Sequence, residues 1–251
     1  MRRSPRLSAM VCDGFSPRVL AFDVFGTVVD WRSGVIRESA RFLGQIGRPD
    51  VDPGNFADAW RSQYIKAMAA FTASGRDFVA LDVLHREMLQ QTLKNEGVDP
   101  TKLDDALLAD WNQAWHRLDP WPDAIVGLTR MKVHFPIVTL TNGNIALMLG
   151  MARRAGLPWD ALLGAEVTRA YKPDPQAYLR TAELLNIAPG ELCLVAAHHS
   201  DLAAARACGL CTAYIDRPDE YGGRRAPDAD ALQDWDWSAG DMLDFADQLG
   251  C

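Results

Sequence analysis

The 251-residue sequence has no uninterrupted apolar run approaching the ~18 residues a membrane-spanning helix needs, so no membrane partner is expected. It has no excess of basic residues either. Lys and Arg total 26 against 33 Asp and Glu, a formal net charge of −7. That balance argues against a nucleic-acid binder, which would usually present a basic surface. Cysteine is scarce and irregularly placed, at Cys12, Cys193, Cys208, Cys211 and Cys251. Such spacing suggests no disulfide framework, and the expectation is reduced thiols in a cytoplasmic protein. Cys208 and Cys211 stand at CxxC spacing, but no second pair or nearby His pair completes a zinc site. Internal repeats and low-complexity tracts are also missing. The basic start, Met1-Arg-Arg-Ser-Pro-Arg-Leu, is followed by an apolar stretch of only Ala9 to Cys12, too short for a signal sequence. Residues 1–17 are therefore expected to be a disordered extension, with Met10 as an alternative start.

What is present is an ordinary globular composition, 48% hydrophobic and 24% charged. Val19 to Phe22 is a short apolar run that delivers a lone carboxylate, Asp23, before Phe25-Gly26-Thr27 turns the chain. Such a run reads as a buried parallel strand. From about Ser33 to Trp121 the apolar period becomes helical. The series are Val35, Ile36, Phe42, Ile46; Phe56, Trp60, Tyr64, Met68; Val83, Leu84, Met88, Leu89; and Leu103, Leu107, Leu108, Trp111, Trp115. Four or five helices are predicted there, forming a cap over the strand ends. After Pro122 the pattern alternates. Helices are predicted near 123–134, up to Ala155, from Asp174 or Pro175, over 202–208 and over 241–249. Strands are predicted at 136–140, 162–167, 192–197 and 212–215. This rhythm predicts an α/β fold with a doubly wound parallel sheet. The expected division is a core of 18–32 plus 121–251 and a helical cap of 33–120.

Four polar clusters fall at the carboxyl ends of predicted strands: Asp23 with Thr27, Thr141 with Asn142, Lys172, and His198 with Asp201. In this fold class those ends face one crevice. A single polar turn would mean little, but a lone Asp and a lone Lys at separate strand ends are far more specific. The four segments, Phe-Asp-Val-Phe-Gly-Thr-Val-Val-Asp, Leu-Thr-Asn-Gly-Asn, Tyr-Lys-Pro-Asp and His-His-Ser-Asp-Leu-Ala-Ala-Ala-Arg, resemble the four motifs of the haloacid dehalogenase superfamily. The resemblance covers the chain from Arg18 onward. It implies a Rossmann-like core and an aspartate nucleophile, Asp23.

Most members of that superfamily are Mg²⁺ phosphatases, whose motif places a second Asp two residues after the nucleophile. Here that residue is Phe25, which cannot protonate a leaving alcohol. The fourth motif of those enzymes carries two acids, and here the earlier position is Ala197, leaving only Asp201. The L-2-haloacid dehalogenase branch fits better. Asp23-Val-Phe-Gly-Thr27 is similar to its first motif, Trp60-Arg61 with Gln63 and Tyr64 to its halide-binding segment, and Lys172 and Tyr178 to its third motif. The resemblance implies a small anionic 2-haloacid as substrate, no cofactor or metal, and a homodimer. In this reading Asp23 displaces halide to give an aspartyl ester, which water then hydrolyses. Lys172 keeps Asp23 ionised, Thr27 orients it, Arg61 receives the halide with Asn142 as second donor, and Thr141 holds the substrate carboxylate. Phe25 lines the halide side, and Tyr178 supports the site or packs the core. The departure is Ala196 and His198, where that branch usually has Ser and Asn. His198, steadied by Asp201, is expected to activate the hydrolytic water. His199 is expected to face away, and His85, His116 and His134 to be structural. A Mg²⁺ phosphatase and a catalytically silent binding protein remain the alternatives.

Overall fold

The computed structural model describes residues 17–74 and 77–251, so most of the expected N-terminal extension, Met10 and Cys12 lie outside the described residues. Its centre is β1 (Val19–Phe22), four apolar residues buried along their whole length. A strand covered by helices on both faces requires such a run. β1 pairs in parallel with both β4 (Ile137–Thr139) and β5 (Leu192–Ala196). β6 (Cys211–Ile215) and β7 (Trp237–Ala239) extend the sheet, giving the order β4-β1-β5-β6-β7. The chain leaves β1 for β4 on one side and later crosses to β5 on the other. The carboxyl ends of these three strands thus surround a switch point, and Asp23 stands there.

Between β1 and β4 the chain leaves and re-enters through a two-stranded antiparallel ribbon, β2 (Val29–Asp30) with β3 (Asp119–Pro120). Beyond the ribbon lie α1 (Trp31–Gln45), α2 (Pro53–Ser74), α3 (Leu81–Asn95) and α4 (Asp105–Asn112). Asp30 starts α1 by accepting the Ser33 N–H at 2.9 Å, satisfying one of the unpaired donors of a helix start. The helical periodicity read from the sequence becomes aromatic packing. Trp111 stacks between Phe42 (5.2 Å between ring centroids) and Phe56 (5.1 Å), all three fully buried. Val83 departs from its series and is exposed, while Leu84, Met88 and Leu89 are buried.

After the ribbon come α5 (Ala124–Lys132), α6 (Ile145–Ala155), α7 (Ala165–Thr168), α8 (Pro175–Leu184), α9 (His199–Ala207) and α10 (Met242–Gln248). Asp174 starts α8 by accepting the Gln176 N–H. The strand expected at 162–167 does not form. The Thr139 hydroxyl donates to Leu163 O at 2.7 Å and accepts from Leu163 N–H at 2.9 Å, taking both groups away from a ladder. Only single bridges remain, Ala161 with Val138 and Gly164 with Thr141, before α7 begins. β7 had no strand signal because it is three residues in a polar, Trp-rich stretch. α9 starts at His199, three residues before the predicted position.

Cys193, Cys208 and Cys251 are free thiols. Among the described residues no helix is long and apolar enough to cross a membrane. The Trp111 stack anchors the helical insert, so Trp111→Ala is expected to lower stability by about 3–5 kcal/mol, measured as a fall in urea-unfolding free energy.

Candidate active site

Asp23 leaves the end of β1 with its backbone N–H bonded to Val195 O of the neighbouring strand at 3.0 Å. Its side chain is buried and meets three partners. Oδ1 lies 2.8 Å from Lys172 Nζ, and Oδ2 accepts from Thr27 Oγ1 at 2.9 Å and lies 3.2 Å from His198 Nδ1. Burial alone would raise the Asp23 pKa. The Lys172 charge and the His198 bond outweigh it, and the carboxyl is held well below its ordinary value of 3.8. Thr27 also accepts the Ala197 N–H at 2.9 Å, which ties the first turn to the end of β5. Asp23 is therefore an ionised, immobilised carboxylate.

Lys172 enters from the loop between α7 and α8. Its ammonium also contacts Asp201, in the first turn of α9, so one cation bridges two carboxylates. Burial pushes the ammonium toward losing its proton, but Asp201 and Asp23 together raise its pKa above 10.5. Tyr178, fully buried on α8, donates its hydroxyl to Asp201 Oδ1 at 2.6 Å. It is thus a support for Asp201 and not only core packing. Removing Lys172 would leave Asp201 buried without a cation and Asp23 with His198 alone, and an uncompensated buried charge typically costs several kcal/mol.

His198 is where the sequence reading needs correction. Asp201 does not steady it, because Asp201 is engaged by Lys172 and Tyr178. The partner is Glu220, whose Oε1 lies 3.0 Å from His198 Nε2. Burial opposes the imidazolium, but Glu220 and Asp23 prevail and raise its pKa well above 6.5. With a carboxylate at each ring nitrogen, His198 at neutral pH is a doubly donating cation. Glu220 Oε1 also accepts the Trp31 indole N–H at 2.9 Å. The side chain rests against Gly26, where an added Cβ would sit 2.2 Å from Oε1 and where φ is +86°. Glycine at position 26 thus serves both the turn and the approach of Glu220. No local signal marks Glu220, one of several acids in the polar loop between β6 and β7.

The remaining predicted residues gather at the same strand ends. Thr141 is buried and its hydroxyl accepts the Gly143 N–H at 3.1 Å, leaving its own hydrogen to donate. Asn142 Oδ1 accepts the Lys172 backbone N–H at 2.7 Å, and its amide contacts Lys172 O at 3.2 Å and the Tyr64 hydroxyl. The amide has no spare hydrogen for a halide until the Tyr64 contact opens. Arg61, on α2, places its guanidinium 4.6 Å from the Tyr64 ring centroid and 5.6 Å from that of Trp31. It has no carboxylate partner among the described residues. Phe25 packs edge-on against Trp115, with centroids 6.0 Å apart. His199 does face away, accepting the Trp235 indole N–H on Nδ1 at 3.1 Å and stacking on Tyr214. His116 pairs with Asp82 at 2.9 Å.

This arrangement has known counterparts. A family model for haloacid dehalogenase-like hydrolases matches residues 17–209, and the chain belongs to that family. Within it, the chain is 30% identical over 213 residues to (S)-2-haloacid dehalogenase 1 of Pseudomonas sp. strain CBS-3, covering 81% of this chain and 88% of that protein. It is also similar to the crystal structure of a defluorinating L-2-haloacid dehalogenase, at 46% identity and a TM-score of 0.91, covering 100% and 99% of the two chains. A second L-2-haloacid dehalogenase structure is 45% identical with a TM-score of 0.87, covering 94% and 99%.

The His198 geometry makes stability depend on pH in a definite sense. A histidine whose folded pKa is raised contributes stability that is complete below the unfolded value, about 6.5, and is lost as pH rises through the folded value. The stability gap between wild type and His198→Asn is therefore expected to be largest below about pH 6.5 and to shrink at higher pH, read from urea midpoints across a pH series.

Proposed function

We propose that the protein is a hydrolytic dehalogenase of short-chain (S)-2-haloalkanoic acids, haloacetates and 2-halopropionate among them, giving 2-hydroxy acids through an ester on Asp23. The observation that carries this is an ionised Asp23 paired with Lys172 while position 25, two residues on, is Phe. A nucleophile with a fixed cation and no adjacent acid suits a leaving group that departs as an anion and needs no proton.

In the first step an Asp23 oxygen bonds to the carbon bearing the halogen, and the carbon–halogen electron pair leaves with the halide. Thr27 and Lys172 hold the carboxylate in line, and such positioning is the largest lever on a displacement. Arg61 receives the halide, joined by Asn142 once Tyr64 gives way, with Phe25 closing that side of the pocket. The Thr141 hydroxyl and neighbouring backbone N–H groups hold the substrate carboxylate. Lys172 supplies the positive charge beside the nucleophile, so the displacement calls for no cofactor.

Esterification removes the charge on Asp23 and with it one of the two carboxylates that stabilise the His198 cation. His198 then loses its Nδ1 proton to solvent while Glu220 retains the Nε2–H. The freed Nδ1 lone pair faces the Asp23 ester and takes a proton from the water that attacks its carbonyl carbon. The acyl–oxygen bond breaks, the departing alkoxide takes that proton to become the 2-hydroxy acid, and the Asp23 carboxyl gives its proton back to His198. Tyr178 and Asp201 keep Lys172 in place throughout. The same reading treats 18–32 with 121–251 as the core domain and 33–120 as the cap, and the protein as a cytoplasmic homodimer.

The test is halide release from 2-chloropropionate and chloroacetate. Wild type is expected to release halide and 2-hydroxy acid in equal amounts with EDTA present, and Asp23→Asn to release none. Release only with Mg²⁺, from a phosphate ester instead, would overturn the reading. Arg61→Gln is expected to slow ester formation by about 10²–10³-fold in single-turnover halide release. His198→Ala and Glu220→Gln are expected to retain the halide burst while mass spectrometry finds the ester accumulating on Asp23. Steady-state turnover equal to wild type in both would sink the water-activation role.

A further inference from the structure

His85 was expected to be structural, yet its side chain is built like part of a binding site. It lies on the second turn of α3 and is 3% exposed. Its ring stacks on Trp115 at 4.5 Å and 18°, and meets Phe25 edge-on at 6.5 Å and 88°. Phe25 is two residues from Asp23, so the imidazole borders the halide side of the proposed pocket. The backbone of the residue is used, since His85 O accepts the Trp60 indole N–H at 3.1 Å. The side chain is not. Nδ1 is sealed from solvent with no hydrogen-bond partner, and Nε2 has no partner among the described residues. Buried polar nitrogens without partners are rare, and each one calls for an explanation.

The charge state of His85 narrows the explanation. Burial pushes its pKa down to about 3, with Arg61 and His116 adding to the effect against the opposing pull of Asp82. The ring is therefore neutral and carries one N–H. An N–H left unpaired is costlier than a bare lone pair, which favours the tautomer with the proton on the unsealed Nε2. Arg61 lies over Trp31, which stacks on the same Trp115 that His85 stacks on, and it is a cation without a carboxylate partner among the described residues.

We propose that His85 is a halogen-discriminating donor, whose Nε2–H binds the departing halide alongside Arg61 and favours fluoride over the larger halides. This rests on the dehalogenase reading and names a specificity determinant within it. In the step concerned, the Asp23 oxygen–carbon bond forms as the carbon–halogen bond breaks, and the electron pair leaves on the halide. No proton is transferred, and His85 only donates a hydrogen bond to the anion as its charge develops. Fluoride concentrates that charge on a small atom and is a strong hydrogen-bond acceptor. Bromide spreads the same charge over a larger sphere, gains little from a neutral N–H, and is adequately served by Arg61 and the aromatic walls. Hydrogen bonds to charged acceptors are the strong ones, so their loss shows selectively in the halide that depends on them.

The experiment compares single-turnover halide release from fluoroacetate and bromoacetate in wild type, His85→Phe and His85→Gln. His85→Phe keeps the stack on Trp115 and removes the N–H. It is expected to slow fluoride release by about 10- to 100-fold while bromide release changes by less than about 3-fold. The bromide rate also reports that the variant is folded. His85→Gln restores a donor and is expected to recover part of the fluoride rate. Equal slowing of both halides, or no change in either, would assign His85 a structural role and overturn the proposal. Wild-type release of bromide without fluoride would overturn it too, leaving the dehalogenase reading intact. Release of neither halide by wild type would bring down the dehalogenase reading itself.

Discussion

A single buried ammonium organises the site. Lys172 Nζ bridges Asp23 and Asp201 in a region where all three side chains are largely excluded from water. Each of the three would be unstable there alone, since a charge removed from water is tolerated only when paired and hydrogen-bonded. The surrounding contacts follow from that constraint. Tyr178 completes the hydrogen bonding of Asp201, Thr27 and His198 that of Asp23, and Asn142 fixes the backbone of Lys172. The charge state of Asp23 and the integrity of the site thus depend on the same contacts.

A second charge relay is layered on the first. His198 lies between Asp23 and Glu220, so the protonation of the imidazole depends on the charge of both carboxylates. Glu220 in turn takes the indole N–H of Trp31, the first residue of α1. Asn142 reaches Tyr64 on α2, and Asn144 takes Asp82 at the start of α3, where its amide donates to the carboxylate at 2.9 Å. Three separate polar contacts therefore join the strand ends to the helices above them.

Much of the site was legible in advance because parallel-sheet topology converts strand ends into neighbours. Asp23, Thr141 and Asp201 each stand just beyond a buried strand or open the helix that follows, so their order along the chain sufficed to bring them together, whereas Lys172 reaches them from the loop between α7 and α8. The helical insert was legible for a different reason, the spacing of its aromatic and aliphatic residues. Glu220 was not legible. It sits in a long polar loop, and its role depends on the absence of a Cβ at Gly26, almost two hundred residues away. The false strand at 162–167 failed because apolar composition cannot reveal that the Thr139 hydroxyl would occupy the backbone of Leu163.

The amino-acid order by itself determined the α/β core, the inserted helices, the carboxylate of Asp23 at the end of the first strand and the lack of an acid at position 25. These are local properties: periodicity, the residue at a strand end, the residue two places on. Only the tertiary structure decided who partners whom. It gave His198 to Glu220 and not to Asp201, turned Tyr178 into a support for Asp201, committed the amide of Asn142 to Tyr64 and Lys172, and left the buried Nδ1 of His85 without a hydrogen-bond partner among the described residues. Hydrogen bonds and ion pairs depend on distances of a few tenths of an ångström between segments far apart in the chain, and burial then sets the charge each group carries. No linear pattern encodes either quantity, because both arise when the strands and the helices close around one crevice.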